Sequence, residues 1–388
     1  MFALANGTIG TRGAIDELPQ FGASYLPDGF TRRPIAYHER FSGYADHTDT
    51  RLACPSGVAA EVLIDGVPID FGAITMLSCV RELDLRAGIL RRVTRWQLEC
   101  GRIVEINADR LVPIHNDAVV VSHLRVRPIG FSARVTVTLP IRPVDSSHTD
   151  EGVHDPRVSA KVSNSLFQKQ CAVDFEQAIY VFVCADDIVN IAVAQRLTAK
   201  HSVFADEVIG QRVEALCDTD TPLVVERYVA FAVDRDDGSA AILVASASAL
   251  SAQSQGIEAL SAIQSSTIQQ FMATSAVSIT DDPTLTRAIH FNLFHLFQSA
   301  SRSDCFSIAA KGLTGEGYEG HYFWDTEAFV LPVLCLTAPL LARHILMYRA
   351  GTLNHARSHA RLLNHKHGDL YAWRTISGDE CSSHYPTG

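Results

Sequence analysis

Ala133-Arg134-Val135-Thr136-Val137-Thr138-Leu139 places an apolar side chain at every second position. Successive side chains of an extended strand point to opposite faces, so this run sets one face on a core and the other in water. Working outward, Val104, Ile106 and Ala108 alternate with Glu105, Asn107 and Asp109 in the same way. Asp65-Gly66 and Cys100-Gly101 each lie between short apolar runs and read as hairpin turns. Segments 178–184, 189–194 and 224–234 are further strands. Many short strands without intervening helices predict an antiparallel two-sheet sandwich, larger than an immunoglobulin-like domain.

The period changes near residue 250, from two to helical. Ile257, Leu260 and Ile263 recur at a spacing of three within a Ser-, Ala- and Gln-rich stretch, which predicts helices linking two domains. Asp281-Asp282-Pro283 combines an Asp cap with Pro at the first helical turn, a helix start. The helix that follows, 285–297, is apolar on more than one face and is expected to be buried on both sides. A short helix at 326–336 and a long one from Pro339 to about Leu363 complete the helical part.

The chain has 388 residues, enough for two domains. At 47% hydrophobic and 20% charged residues it has a globular rather than a disordered balance. Its formal charge of -10 repels phosphate backbones and anionic lipid, so neither nucleic acid nor a membrane surface is expected as a partner. The nine cysteines are scattered and form no Cys-x-x-Cys pair, which argues against a disulfide framework and a zinc site. That usage, and an N-terminus without a basic n-region or a long apolar core, predicts a cytoplasmic protein. No apolar window is long enough for a transmembrane helix. His355 and His359 are four apart, but no His-Glu-x-x-His arrangement accompanies them, so no metal is expected. The glycines of Asn6 to Gly13 lack a preceding strand and a βαβ context, which excludes a dinucleotide fingerprint and leaves tight turns.

Two stretches carry chemistry. In 311–332, Gly312, Gly315, Gly317 and Gly320 precede His321, Tyr322, Phe323, Trp324 and Asp325, just ahead of a helix. An aromatic ring covers the apolar face of a pyranose and a carboxylate accepts hydrogen bonds from its hydroxyls. The competing reading makes Trp324 and Tyr322 core aromatics and Asp325 a helix cap. In 371–388, Trp373, Arg374, Asp379, Glu380 and His384 either line a cleft or belong to a solvent-exposed loop.

Gly312 to Glu327, then Trp373-Arg374-Thr375, Ser377 to Ser382 and Tyr385-Pro386-Thr387-Gly388, resemble successive signatures of glycoside hydrolase family 65. Asn6 to Gly13 with Asp16-Glu17 resembles its opening motif, and Phe291 to Leu296 its first barrel helix. The resemblance implies a multidomain β + α fold: a galactose mutarotase-like antiparallel β-supersandwich at 1–250, a helical linker at 251–280 and the start of an (α/α)6 barrel at 281–388. It implies that Trp324 and Asp325 bind a glucosyl unit, with Trp373 and Glu380 in the same pocket. It further implies inverting phosphorolysis of an α-glucosyl disaccharide, with inorganic phosphate as co-substrate, no other cofactor, and a homodimer for the full enzyme. The family's general acid, the Glu of a Gly-Pro-Asp-Glu-Tyr-like motif, has no counterpart here. The expectation is therefore a fragment of an incomplete barrel, with no catalytic residue of its own and inactive alone. An inverting α-glucosidase or trehalase on the same scaffold is the alternative enzyme, and a non-catalytic carbohydrate-binding or interface module the alternative from another class.

Overall fold

A computed structural model describes residues 2–18, 22–35, 37, 42–115, 117–144, 166–184, 188–207, 210–315 and 317–382. The short strands β1 (Leu4–Ala5), β2 (Gly10–Thr11) and β3 (Ser24–Tyr25) form a three-stranded sheet, and β4 (Phe30–Pro34) pairs with β5 (His47–Arg51). Then come β6 (Glu61–Ile64), β7 (Val67–Pro68), β8 (Thr75–Asp84), β9 (Ile89–Gln97), β10 (Ile103–Leu111), β11 (Val119–Ile129) and β12 (Ala133–Leu139). They are followed by β13 (Leu166–Val173), β14 (Gln177–Cys184), β15 (Asn190–Ala199), β16 (Val203–Asp206), β17 (Gly210–Cys217) and β18 (Leu223–Asp234).

An eight-stranded antiparallel sheet runs β13-β14-β15-β18-β11-β10-β9-β8, and a five-stranded sheet runs β16-β17-β12-β6-β7. The apolar positions of β12 and β10 face the core as their alternation predicts, but Thr136, Thr138 and Glu105 on the opposite faces are buried rather than in water. Val135 and Val137 from the smaller sheet share one buried cluster with Val104, Ile106, Val126 and Val225 from the larger. The Asp65-Gly66 hairpin has both central residues at positive φ, 51° and 81°, the conformation that matches strand twist in a two-residue turn.

Helix α1 (Ser239–Ser275) begins well before position 250. Its register of small residues, Ala241, Ala245, Ala249 and Ala252, lets it lie close against Val119, Val121, Ala192, Ala194 and Ala230 on the other face of the large sheet. A kink at Gly256, φ 76°, divides it. Of the expected triplet, Leu260 is buried and Ile263 is exposed.

Helix α2 (Pro283–Ser299) starts where expected, with the Asp282 side chain accepting from the Leu285 N–H at 2.8 Å. Its burial differs from expectation. Phe294, Phe297 and Gln298 are buried, but Leu285 is exposed, so the helix packs on one flank. The short helix splits into a wide turn at Thr326–Val330, where the Leu331 N–H reaches the Thr326 carbonyl, and α3 (Leu331–Thr337). The long one breaks at Thr352 into α4 (Pro339–Gly351) and α5 (Leu353–Leu362). Residues of α2, α3 and α4 share a cluster with Leu4, Ile9, Tyr180, Phe182 and Phe231, which seats the helices on the N-terminal region and the sheet. Among the described residues no helix is long and apolar enough to cross a membrane, which leaves strand-built spans unaddressed.

Candidate functional site

The two chemistry-bearing stretches meet through one short pairing. Strand β19 (Tyr322–Phe323) runs antiparallel to β20 (Arg374–Thr375), with Tyr322 opposite Thr375 and Phe323 opposite Arg374. The pairing stacks aromatic rings edge to face. Tyr318 and Phe323 lie 5.3 Å apart at 76°, and Phe323 and Trp373 5.2 Å apart at 77°.

These rings and the Asp325 carboxylate line a cavity of about 750 Å³, bounded also by Lys311, Phe329 and His295. Asp325 does not cap the helix that follows it, and it makes no hydrogen bond or ion pair with another described residue. The next turn is held from behind: Arg349 donates Nε to Glu327 Oε1 at 3.0 Å and Nη2 to Oε2 at 3.1 Å. Such a two-point fork fixes orientation as well as distance. The cavity therefore has apolar ring walls and a carboxylate free to accept hydroxyl donors. That set of groups suits a sugar rather than a metal ion. Among the described residues no cluster of three or more His, Cys, Asp or Glu side chains could hold a metal.

The four expected sugar-contacting residues separate in space. Asp325 and Trp373 face the same cavity. Trp324 is 47% exposed and is not among the residues lining it. Glu380 is buried behind Trp373, and its carboxylate accepts from the N–H groups of Trp373 at 2.7 Å and Ser382 at 3.0 Å, and from the Ser382 hydroxyl at 2.7 Å. With both oxygens engaged, this carboxylate sets the backbone at Trp373. Arg374 turns inward, donating Nε to His321 Nδ1 at 2.9 Å and Nη2 to Glu319 at 2.8 Å. Burial first, and then the Arg374 and Arg51 guanidinium charges, hold the His321 imidazole well below its ordinary pKa. It is neutral, as its acceptor role toward Arg374 requires. Asp379 joins His355 Nδ1 at 2.5 Å, Arg32 at 3.1 Å and His47 at 3.4 Å. His384 lies outside the described residues, as do Tyr385 to Gly388.

The turn ahead of β19 is strained. Tyr318 and Glu319 both adopt positive φ, 59° and 55°. Gly320 follows at φ 81°, where a Cβ would stand 2.6 Å from Arg51 Nε. Arg51 fills that space, donating to the carbonyls of Gly320 at 2.6 Å and Leu313 at 3.0 Å. Arg51, Glu319 and Lys311 are residues that sequence reasoning passes over. The sequence around them carries no hydrophobic pattern that marks them: the run His47 to Arg51 is polar throughout and follows Asp46.

A large antiparallel sheet domain with a helical region seated on it, bearing an aromatic-walled cavity, is the architecture that the family comparisons then identify. Glycosyl hydrolase family 65, N-terminal domain, matches residues 1–271, and the family's central catalytic domain matches residues 290–387. The chain belongs to glycosyl hydrolase family 65. It is 29% identical to an α,α-trehalose phosphorylase of Thermoanaerobacter brockii over 100% of this chain and 52% of that protein. It is 34% identical to an uncharacterised glycosyl hydrolase of Mycobacterium tuberculosis over 100% of this chain and 50% of that one. A putative kojibiose phosphorylase from human microbiome superposes with a TM-score of 0.85 at 19% identity, covering 98% of this chain and 50% of that one, which shows a shared fold. The chain spans about half the length of the curated relatives it matches.

Proposed function

We propose that this chain supplies the glucosyl-binding part of a disaccharide phosphorylase acting on an α-glucosyl disaccharide and inorganic phosphate. The observation that carries the proposal is that Asp325, whose side chain makes no cap hydrogen bond, and Trp373 line one cavity. Asp325 accepts hydrogen bonds from glucosyl hydroxyls and Trp373 covers the apolar face of the ring, while Trp324, outside this cavity, contacts the sugar only where the substrate extends beyond it. Glu380 serves by fixing the backbone at Trp373. In the reaction, phosphate attacks C1 from the face opposite the glycosidic oxygen, that bond breaks, and one carboxylic acid protonates the departing oxygen. The configuration inverts and β-glucose 1-phosphate forms. No residue of this chain is assigned to that proton transfer. The names of the trehalose and kojibiose phosphorylase relatives support the reaction class.

In this reading the two facing sheets are the family's galactose mutarotase-like supersandwich. The chain divides into a sheet domain at 1–250, a linker at 251–280 and the opening helices of an (α/α)6 barrel at 281–388, with α1 running across the first border. The enzyme works as a cytoplasmic homodimer.

Titrating D-glucose into the 388-residue chain while following tryptophan fluorescence tests the binding claim. Saturable quenching that Asp325→Ala and Trp373→Ala each weaken by about tenfold or more is expected for lost contacts of this kind. Absence of millimolar binding to the wild-type chain would sink it. The reaction class is tested by incubating the full-length enzyme that contains this chain with trehalose or kojibiose, with and without phosphate. Glucose 1-phosphate formed only with phosphate supports phosphorolysis, and phosphate-independent glucose release identifies a hydrolase.

A further inference from the structure

Strand β5 reads His47-Thr48-Asp49-Thr50-Arg51, without one aliphatic side chain, yet its last four residues are buried. Buried polar groups need partners, because an unmatched one loses its hydration without return. Apart from Arg32 of the neighbouring β4, whose Nε lies 3.6 Å from Asp49 Oδ1, the side-chain partners of β5 lie some 260 to 330 residues away along the chain. Thr48 and Thr50 donate their hydroxyls to the Glu319 carboxylate at 3.1 and 3.5 Å. Asp49, fully buried, accepts from the N–H groups of Ile376 at 3.2 Å and Ser377 at 2.8 Å. Arg51 reaches the carbonyls of Leu313 and Gly320.

Four consecutive residues thus grip both segments that carry the sugar site. One is the 313–320 turn that leads into β19 and Asp325. The other is the 374–377 stretch that follows Trp373. None of the four is among the residues lining the cavity. The turn they hold contains Tyr318 and Glu319 in a conformation costly for residues with a Cβ, which persists only when its surroundings over-determine it. Thr48, Thr50 and Arg51 supply that determination.

We propose that Thr48, Asp49, Thr50 and Arg51 are positioning residues of the sugar site, acting through these two segments to set Asp325 and Trp373 at the spacing a glucosyl ring needs. The inference rests on the glucosyl-binding reading above and assigns part of that site's geometry to the N-terminal region. A displacement of about 1 Å between binding groups can cost orders of magnitude in function, so the effect should be readable in affinity.

The experiment measures D-glucose affinity by tryptophan quenching in the intact chain, alongside urea unfolding of each variant. Asp49→Ala is expected to weaken binding by about tenfold and Asp49→Asn, whose side-chain oxygen still accepts an amide, to recover most of it. Should Asp49→Ala fail to fold, the near-isosteric pair Thr48→Val with Thr50→Val decides, with an expected loss of about threefold. A purely structural role predicts lower unfolding midpoints with unchanged affinity in the folded fraction. Wild-type binding with every folded variant within about twofold of it overturns this inference and leaves the sugar site standing. Absence of wild-type binding removes both.

Discussion

Gly320 and His321 show how much of the site is backbone and proton chemistry rather than contact with sugar. Gly320→Ala would put a Cβ into the Arg51 guanidinium at φ 81°, straining the turn and displacing a buried cation. A loss of about 2–4 kcal/mol in urea unfolding is expected from the two effects together. A loss under 1 kcal/mol would show that the turn relaxes without Arg51, at about the level of an ordinary surface change. His321 gives a pH dependence with a definite sign. Its folded pKa is depressed below the ordinary 6.5 by burial and by Arg374 and Arg51. The native state therefore stays unprotonated while the unfolded chain takes up a proton as pH falls through 6.5. Stability contributed by the neutral ring is complete above that value and declines below it, by at most about 1.4 kcal/mol per pH unit. Asp379 acts in a lower window: its burial opposes ionisation, but the His355 hydrogen bond and the Arg32 charge outweigh it and bring its pKa below the usual carboxylate range. Its contribution is present above the ordinary carboxylate pKa and is lost progressively as pH falls from there through the lowered value. Urea midpoints of wild type and His321→Gln between about pH 7 and about pH 5 should diverge, the variant being flatter. Parallel curves would mean that His321 is protonated in the fold.

Helix α2 and strand β5 mark the limits of what hydrophobic period can reveal. The start of α2 was legible because its cap is local chemistry: Asp282 needs only the Leu285 N–H three residues on. Asp282→Ala should lower stability by about 1 kcal/mol in the same unfolding assay, and a neutral result would mean that solvent satisfies the freed N–H. Strands β10, β12 and β18 were legible as extended runs, and the turn joining β9 to β10 from Cys100-Gly101, whereas the pairing of β12 with β17 and β6 was not. Nor was the hairpin of β4 and β5. Its polar side chains face partners hundreds of residues distant, and period says nothing about a buried hydrogen bond. The start of α1 was misplaced because Ala241, Ala245 and Ala249 carry little hydrophobic signal, although small size is what lets the helix approach the sheet. The site divides the same way. Asp325 and Trp373 were visible as residue types, whereas the engagement of Glu380 with the backbone at 373 and 382 depends on a loop path that no spacing rule encodes.

The sheets, α1 and the helical region form one continuous body, yet one flank of it is not covered. Leu336 and Leu340 are 86% and 74% exposed, and Leu346 and Met347 of α4 are exposed as well. Leu334, Leu341 and Ile345 of the same two helices are buried, so the helices are docked on one side and bare on the other. Apolar surface removed from water is worth about 25 cal/mol per Å², and contiguous patches of this kind drive association. The purified chain should therefore self-associate with rising concentration and bind a hydrophobic dye. A Leu336→Glu and Leu340→Glu double variant removes two of the most exposed side chains without touching Leu334 or Leu341 in the core. It should lower both the scattering mass and the dye signal while leaving the urea midpoint within about 0.5 kcal/mol of wild type. Equal self-association in the double variant would place the contact elsewhere. The edge strand β8, with Val80 64% exposed, is then the next surface to alter, because an unpaired strand edge recruits partners through its backbone rather than its side chains.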